Sequence, residues 1–130
     1  MRFYSVYLTA ASAAEAERIA TRVVGEGLAA CANVFSRVRS IYRWEGRLHR
    51  DPESAAILKT TAGRLRALMS RIRELHSYQV PCIVAWPIAA GHRPYLEWVA
   101  AECARRPKAP ARTGARSGGG RRTGRAKRKG

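Results

Sequence analysis

The chemistry this chain can do is narrow. Its 130 residues hold three cysteines, Cys31, Cys82 and Cys103, and three histidines, His49, His76 and His92. No two of the cysteines form a C-x-x-C pair, and an odd number of widely spaced thiols argues against both a zinc ribbon and a disulfide framework. Such thiols suit a reducing compartment, so a cytoplasmic location is expected. His49 and His92 fall in hairpin and loop segments and read as solvated. No nucleophile elbow, P-loop, H-E-x-x-H or paired metal-ligand motif occurs, and the glycines at 118–120 stand in a polar tail, not between a strand and a helix. Catalysis is therefore not expected.

The other chemistry on offer is electrostatic. The formal net charge of +16 is concentrated at one end, because residues 105–130 carry eleven Lys or Arg and no Asp or Glu, leaving fourteen basic and nine acidic residues, a net of +5, for 1–104. The length suffices for one hydrophobic core and not two, so a single domain over 1–104 followed by a basic tail over 105–130 is expected. The tail has no aromatic or branched aliphatic residue to bury, and cannot offset the ~1–2 kcal/mol per residue that ordering a backbone costs. It is predicted to be disordered. Its cations suit non-specific, salt-sensitive contact with the phosphates of nucleic acid, without base stacking; a solubilising extension with no partner is the alternative. The apolar N-terminal stretch is broken by Ser5, Thr9 and Ser12, so it reads neither as a signal peptide nor as a membrane span. No membrane partner is expected.

Alternating patterns define the elements around these side chains. Tyr4, Val6 and Leu8 on one face, with Phe3 and Tyr7 on the other, predict a strand buried on both sides. Ser12 and Glu15 have the spacing of a capping box, in which the serine accepts from the Glu15 amide and the Glu15 carboxylate reaches back. The helix they open carries the stripe Ala16, Ile19, Ala20, Val23, Val24 and exits at Gly25 or Gly27. Val38, Ser40, Tyr42 and Trp44 alternate with Arg37, Arg39, Ile41 and Arg43, and the chain turns at Glu45-Gly46. A return strand starts near Arg47, with an interruption expected at Asp51-Pro52 and an edge or bulge there. Leu65, Leu68, Met69, Ile72 and Leu75 make a second helical stripe, Cys82 to Pro87 a short buried strand, and Pro94 opens a last helix. The order β-α-β-β-α-β plus a closing helix predicts an α+β, ferredoxin-like antiparallel sheet with two covering helices.

Along these elements run Leu28-Ala29-Ala30-Cys31-Ala32-Asn33, Ser40-Ile41-Tyr42-Arg43-Trp44-Glu45-Gly46, Ile57-Leu58-Lys59-Thr60-Thr61, Ile72-Arg73-Glu74-Leu75-His76, Tyr78 with Pro81, and Tyr95-Leu96-Glu97-Trp98. In order and spacing they resemble the CutA divalent-cation tolerance family over the first 100 or so residues. The resemblance implies a trimer, related in architecture to the PII signalling proteins, whose hairpins pair across subunit boundaries. Composition points the same way. A domain of this size has few places to bury Tyr42, Trp44, Trp86 and Trp98 together, and aromatics are enriched at subunit contacts; filling the monomer core is the alternative.

The resemblance also implies an association with copper or another divalent cation, through a cysteine on the first strand and histidines at the end of the second helix. Here Leu8 occupies the first position, Leu75 one of the two histidine positions, and Ser77 the place of a usual proline. His76 remains, with Cys82 six residues on, and together they offer an imidazole and a thiolate to Cu(I) or Zn(II) if neighbouring subunits complete the site. Against this stand His76 as a helix C-terminal cap and Cys82 as a small buried hydrophobe. A second implied site is an inter-subunit cleft of Trp44, Glu53, Lys59, Tyr78 and Tyr95. A lysine beside aromatics and a carboxylate can hold a small anion, or the group can be a structural network; both readings stand open.

Overall fold

A computed structural model of the chain describes residues 1–105. The basic tail expected over 105–130 lies outside the described residues, save Arg105. The element order is β1 (Phe3–Ala10), α1 (Ala13–Gly25), β2 (Cys31–Trp44), β3 (Arg47–Thr61), α2 (Ala62–Leu75), β4 (Ile83–Pro87) and α3 (Arg93–Ala104). The strands form one antiparallel sheet in the order β2-β3-β1-β4. This is the ferredoxin-like α+β arrangement.

Local sequence explains where elements begin and end. Ser12 caps α1, its hydroxyl accepting from the Glu15 amide at 3.1 Å. The Glu15 carboxylate does not close the box. It accepts instead from the backbone N–H and hydroxyl of Ser77, at 2.9 and 3.0 Å, because a tertiary partner with two donors outcompetes one local amide. At the other end of α1, Gly27 has φ +77, its N–H bonds to Val24 O, and Leu28 N–H bonds to Val23 O. That pair of bonds is the Schellman cap, so Gly27 rather than Gly25 supplies the left-handed exit. Glu45 and Gly46 both have positive φ, 52° and 78°, as a two-residue type I′ hairpin turn requires.

The core lies between one face of the sheet and the two long helices. Val6, Leu8 and Ala10 of β1, Ala56 and Leu58 of β3, Ala16, Ile19 and Val23 of α1, and Leu68 and Ile72 of α2 are buried together. Burying each large aliphatic of this set stabilises the fold by ~1.5–3 kcal/mol. A second, smaller cluster of Ala30, Val99 and Cys103, with Phe3 against it, seats α3 at the sheet corner.

Two strand expectations need correction. β3 runs unbroken through Asp51-Pro52, because β1 pairs only with Ser54–Thr61 and the strand before Ser54 has β2 on one side alone. The edge expected at Pro52 is there, and an open edge tolerates a residue with no N–H, so only the interruption is absent. The bulge sits on β2 instead, where Ser36 and Arg37 together oppose Ser54, whose hydroxyl donates to Ser36 O at 2.9 Å. β4, expected to be buried, is an edge strand starting at Ile83 whose outward residues Val84 and Trp86 are 46% and 44% exposed, since no helix covers that face.

Candidate functional site

A buried polar group stands where the β2–β3 hairpin leaves the sheet. Glu53 faces Val38 across the ladder and is only 4% exposed. Its Oε1 accepts from Ser40 Oγ at 2.5 Å and its Oε2 from Tyr78 Oη at 2.7 Å. Strand alternation continues the same face towards the tip, where the Tyr42 hydroxyl donates to Asp51 Oδ2 and the Tyr42 ring stacks on His49 at 5.2 Å and 12°. Tyr7, on the helix-free face of β1, has its phenol pushed above the usual 10.0 by burial first, then by the negative charges of Cys82 and Glu53. Carboxylates, phenols and one thiol therefore gather at this end of the sheet.

His76 lies beside this group with both ring nitrogens hydrogen-bonded. Its Nε2–H donates to Thr9 O at 2.7 Å, and Nδ1 accepts from Tyr78 N–H at 3.1 Å. Burial lowers its pKa below the usual 6.5, against the opposing pull of the Thr9 carbonyl and of the Glu15 and Glu53 carboxylates. Glu15 Oε2 is 3.6 Å from Nδ1, close enough to pair with a cation. The Tyr78 amide already donates to Nδ1, however, so the neutral Nε2–H tautomer satisfies both nitrogens and the imidazole is uncharged. Thr9 Oγ1 is buried and has no hydrogen-bond partner among the described residues.

The sequence-predicted site residues fall into separate groups within one protomer. Glu53 and Tyr78 are joined by a hydrogen bond. Lys59 and Tyr95 stand at the other end of β3, six residues from Glu53, or ~20 Å at 3.3 Å per residue. There Lys59 pairs in register with Cys31 and Ser5, and Cys31 Sγ lies 3.1 Å from Tyr95 Oη. The Tyr95 phenol is pushed up to about 12, by burial first and then by the bond to and charge of Cys31. Trp44 is half-buried at the hairpin tip, opposite Arg47. Bringing all five into one cleft takes more than one protomer.

The cation reading meets a similar limit. His76 has no lone pair to spare, Cys82 is a half-buried free thiol, and Leu8, in the position of the family's cysteine, is buried in the aliphatic core. Among the described residues no group of three or more His, Cys, Asp or Glu side chains is arranged to hold a metal ion. The donor set of one protomer does not fit a resident copper or other divalent cation.

Several of these contacts were not anticipated from sequence. Ser40, Tyr42, His49 and Asp51 carried a usable signal: a two-residue turn at Glu45-Gly46 pairs Trp44 with Arg47 and hence Tyr42 with His49 and Ser40 with Asp51. The bonds from Glu15 to Ser77 and from His76 to Thr9 join residues more than sixty apart and left no such signal.

Comparison with known proteins fixes the family. Residues 4–102 match the family model described as CutA1 divalent ion tolerance protein. The divalent-cation tolerance protein CutA of Thermus thermophilus is 45% identical over 94 residues, covering 72% of this chain and 91% of that protein, and its counterpart in Archaeoglobus fulgidus is 40% identical with the same coverage. Among solved structures, the T. thermophilus protein superposes with a TM-score of 0.75 at 42% identity, over 77% of this chain and 97% of that one. The A. fulgidus structure, described as a periplasmic divalent cation tolerance protein, also gives 0.75, at 38% identity over 78% and 98%. No helix among the described residues is long and apolar enough to cross a membrane. With nearly the whole described fold accounted for by these matches, the chain belongs to the CutA1 divalent ion tolerance family.

Proposed function

We propose that this chain is the subunit of a non-catalytic, cytoplasmic homotrimer that takes part in tolerance or response to divalent cations, copper among them, and that the assembled trimer, not the protomer, makes contact with the cation. One observation carries this reading. From Val38 to Glu53 the hairpin is a two-stranded ribbon with no third strand on either side among the described residues, yet the face bearing Glu53 and Tyr42 is already half-dry. Unpaired edges and a half-buried polar face are a liability in a monomer and an interface in an oligomer. Phe35, Val84 and Trp86 expose further apolar surface on the same side of the sheet. Three free cysteines support a reducing compartment. Sedimentation at micromolar concentration is expected to give three times the 14.4 kDa protomer mass, and a monomer mass would refute the assembly. Calorimetric titration of the oligomer with Cu(I) or Zn(II) is expected to show stoichiometric uptake that Cys82→Ser weakens. Absence of uptake would remove cation contact from the reading.

A second reading has its own observation. Lys59 is half-buried between Cys31 and Ser5, with no ion-pair partner among the described residues. Near the Tyr95 phenol it forms the kind of locus that holds a small anionic ligand, as in a PII-like signalling trimer. Thermal-shift screening of nucleotides and small organic acids is expected to find a stabilising ligand that Lys59→Ala no longer responds to. No shift in either protein would leave Lys59 a structural residue. The basic tail, residues 105–130, would add non-specific contact with nucleic acid to such a trimer.

A further inference from the structure

The two faces of the β2–β3 ribbon differ in chemistry, and only one is accounted for above. The register pairs Arg39 with Pro52, Ile41 with Arg50 and Arg43 with Leu48. Directly opposed residues share a face, so Arg39, Ile41, Arg43, Leu48, Arg50 and Pro52 form one surface, opposite to that of Glu53, Asp51 and Tyr42. All six are exposed, Ile41 and Leu48 at 61% each. No acidic residue stands among them. The ion pairs among the described residues lie elsewhere, on the helices and at His76, and none uses Arg39, Arg43 or Arg50.

We infer that this face of the ribbon, with Arg39, Arg43 and Arg50 set around Ile41 and Leu48, is a docking surface for duplex nucleic acid. Shape and charge both favour that partner. A two-stranded antiparallel ribbon fits the major groove of B-form DNA, about 12 Å wide. Seven residues per strand make a ribbon ~20 Å long, and its arginines lie on both strands, where planar guanidinium forks can take phosphate oxygens in pairs. Ile41 and Leu48 between them give the apolar contact that base methyl groups and sugars accept. An anionic membrane is the weaker match, since this face has no Trp, Tyr or Phe to settle at a lipid interface. Because the arginine face continues the helix-covered side of the sheet, docking there leaves the Glu53 face for contacts between protomers.

The test uses the full chain and a fluorescent 25-base-pair duplex, with affinity measured by anisotropy over a series of KCl concentrations. The triple variant Arg39→Gln/Arg43→Gln/Arg50→Gln is expected to lower the slope of log K against log salt by about 2.7 per ribbon engaged, at ~0.9 for each phosphate no longer neutralised, and to weaken binding at least tenfold at 100 mM salt. A control of equal charge, Arg18→Gln/Arg66→Gln/Arg73→Gln on the helices, is expected to stay close to the parent. Equal losses in the two triples, or an unchanged slope in the ribbon triple, would overturn the inference, because the tail or net charge alone would then explain the binding. Tighter binding to phosphatidylserine vesicles than to the duplex would also overturn it. Sedimentation and circular dichroism of each variant verify assembly and fold. Should the triple fail to assemble, Arg50→Glu alone is expected to weaken binding severalfold, and parent-like affinity there would count against the proposal.

Discussion

One strand passes through two environments. From Ser54 to Thr61, β3 has β1 on one side, β2 on the other and both long helices over one face, so Ala56 and Leu58 are sealed in the core. From Arg47 to Glu53 the same strand has β2 alone, and its side chains alternate between a half-dry polar face and a fully wet cationic one. The first half is held by apolar area removed from water, which is non-directional and large. The second is held by hydroxyl-to-carboxylate bonds, which are directional and individually modest. Apolar burial is concentrated in the first half, polar contacts and the exposed cationic face in the second.

The sharpest way to break this contrast is to cut into the covered half. Leu58→Ala removes a fully buried side chain from the centre of the main cluster. It is expected to cost ~2–5 kcal/mol, a span set by how far the neighbours collapse into the space. Chemical denaturation at fixed protein concentration measures it, since an oligomer's apparent stability depends on that concentration. In the protruding half, Glu53→Ala removes the acceptor of the Ser40 and Tyr78 hydroxyl bonds and is expected to cost less, ~1–3 kcal/mol. A larger loss from Glu53→Ala than from Leu58→Ala would reverse the assignment of the two halves.

The contrast also marks how far the sequence could be read. Local signals sufficed for β1, the Ser12 cap, the Glu45-Gly46 turn, both helical stripes and the start of α3 near Pro94. They failed where the answer depended on which strand lies next to which. Pro52 reads correctly as an edge residue but wrongly as an interruption, because β1 ends opposite Ser54 and leaves β3 free to run on along that open edge. Glu15 matches a local capping pattern, and only the fold reveals the two donors of Ser77 that claim it. Cys82 to Pro87 is apolar enough for a buried strand, yet its place at the sheet edge exposes Val84 and Trp86. For the site, Glu53 and Tyr78 meet as a pair, whereas Lys59 and Tyr95 share their type of chemistry and not their end of the sheet.

His76 ties the covered half to the exposed one and gives a smaller, pH-dependent effect. Burial holds its pKa in the folded state below the usual 6.5, so between those two values the unfolded chain binds more protons than the folded one. Stability therefore rises with pH across that window: its contribution is complete above about 6.5 and is lost as pH falls through the folded value. The urea midpoint of the parent is expected to drop on acidification below 6.5, and His76→Gln, whose amide can both donate to Thr9 and accept from Tyr78, is expected to flatten that part of the profile. An equally steep profile in the variant would place the titration on other groups.

The smallest expected effect lies at the tip of the ribbon, farthest from the core. Glu45 is a non-glycine residue at φ 52, and a side chain in the left-handed region costs ~1–2 kcal/mol unless it is one that bonds its own backbone there. Asn does so and is the favoured first residue of a type I′ turn before glycine. Glu45→Asn is thus expected to stabilise the hairpin by a few tenths to ~1 kcal/mol, while Gly46→Ala, at φ 78 with open space around a new Cβ, is expected to destabilise it by a similar amount through backbone strain alone. Both changes act on the protruding half, so hydrogen exchange is expected to shift in the amides of Val38–Glu53 and hardly at all in those of β1. Equal shifts in β1 would mean that the ribbon and the covered sheet open as one unit, and the division of labour along β3 would be lost.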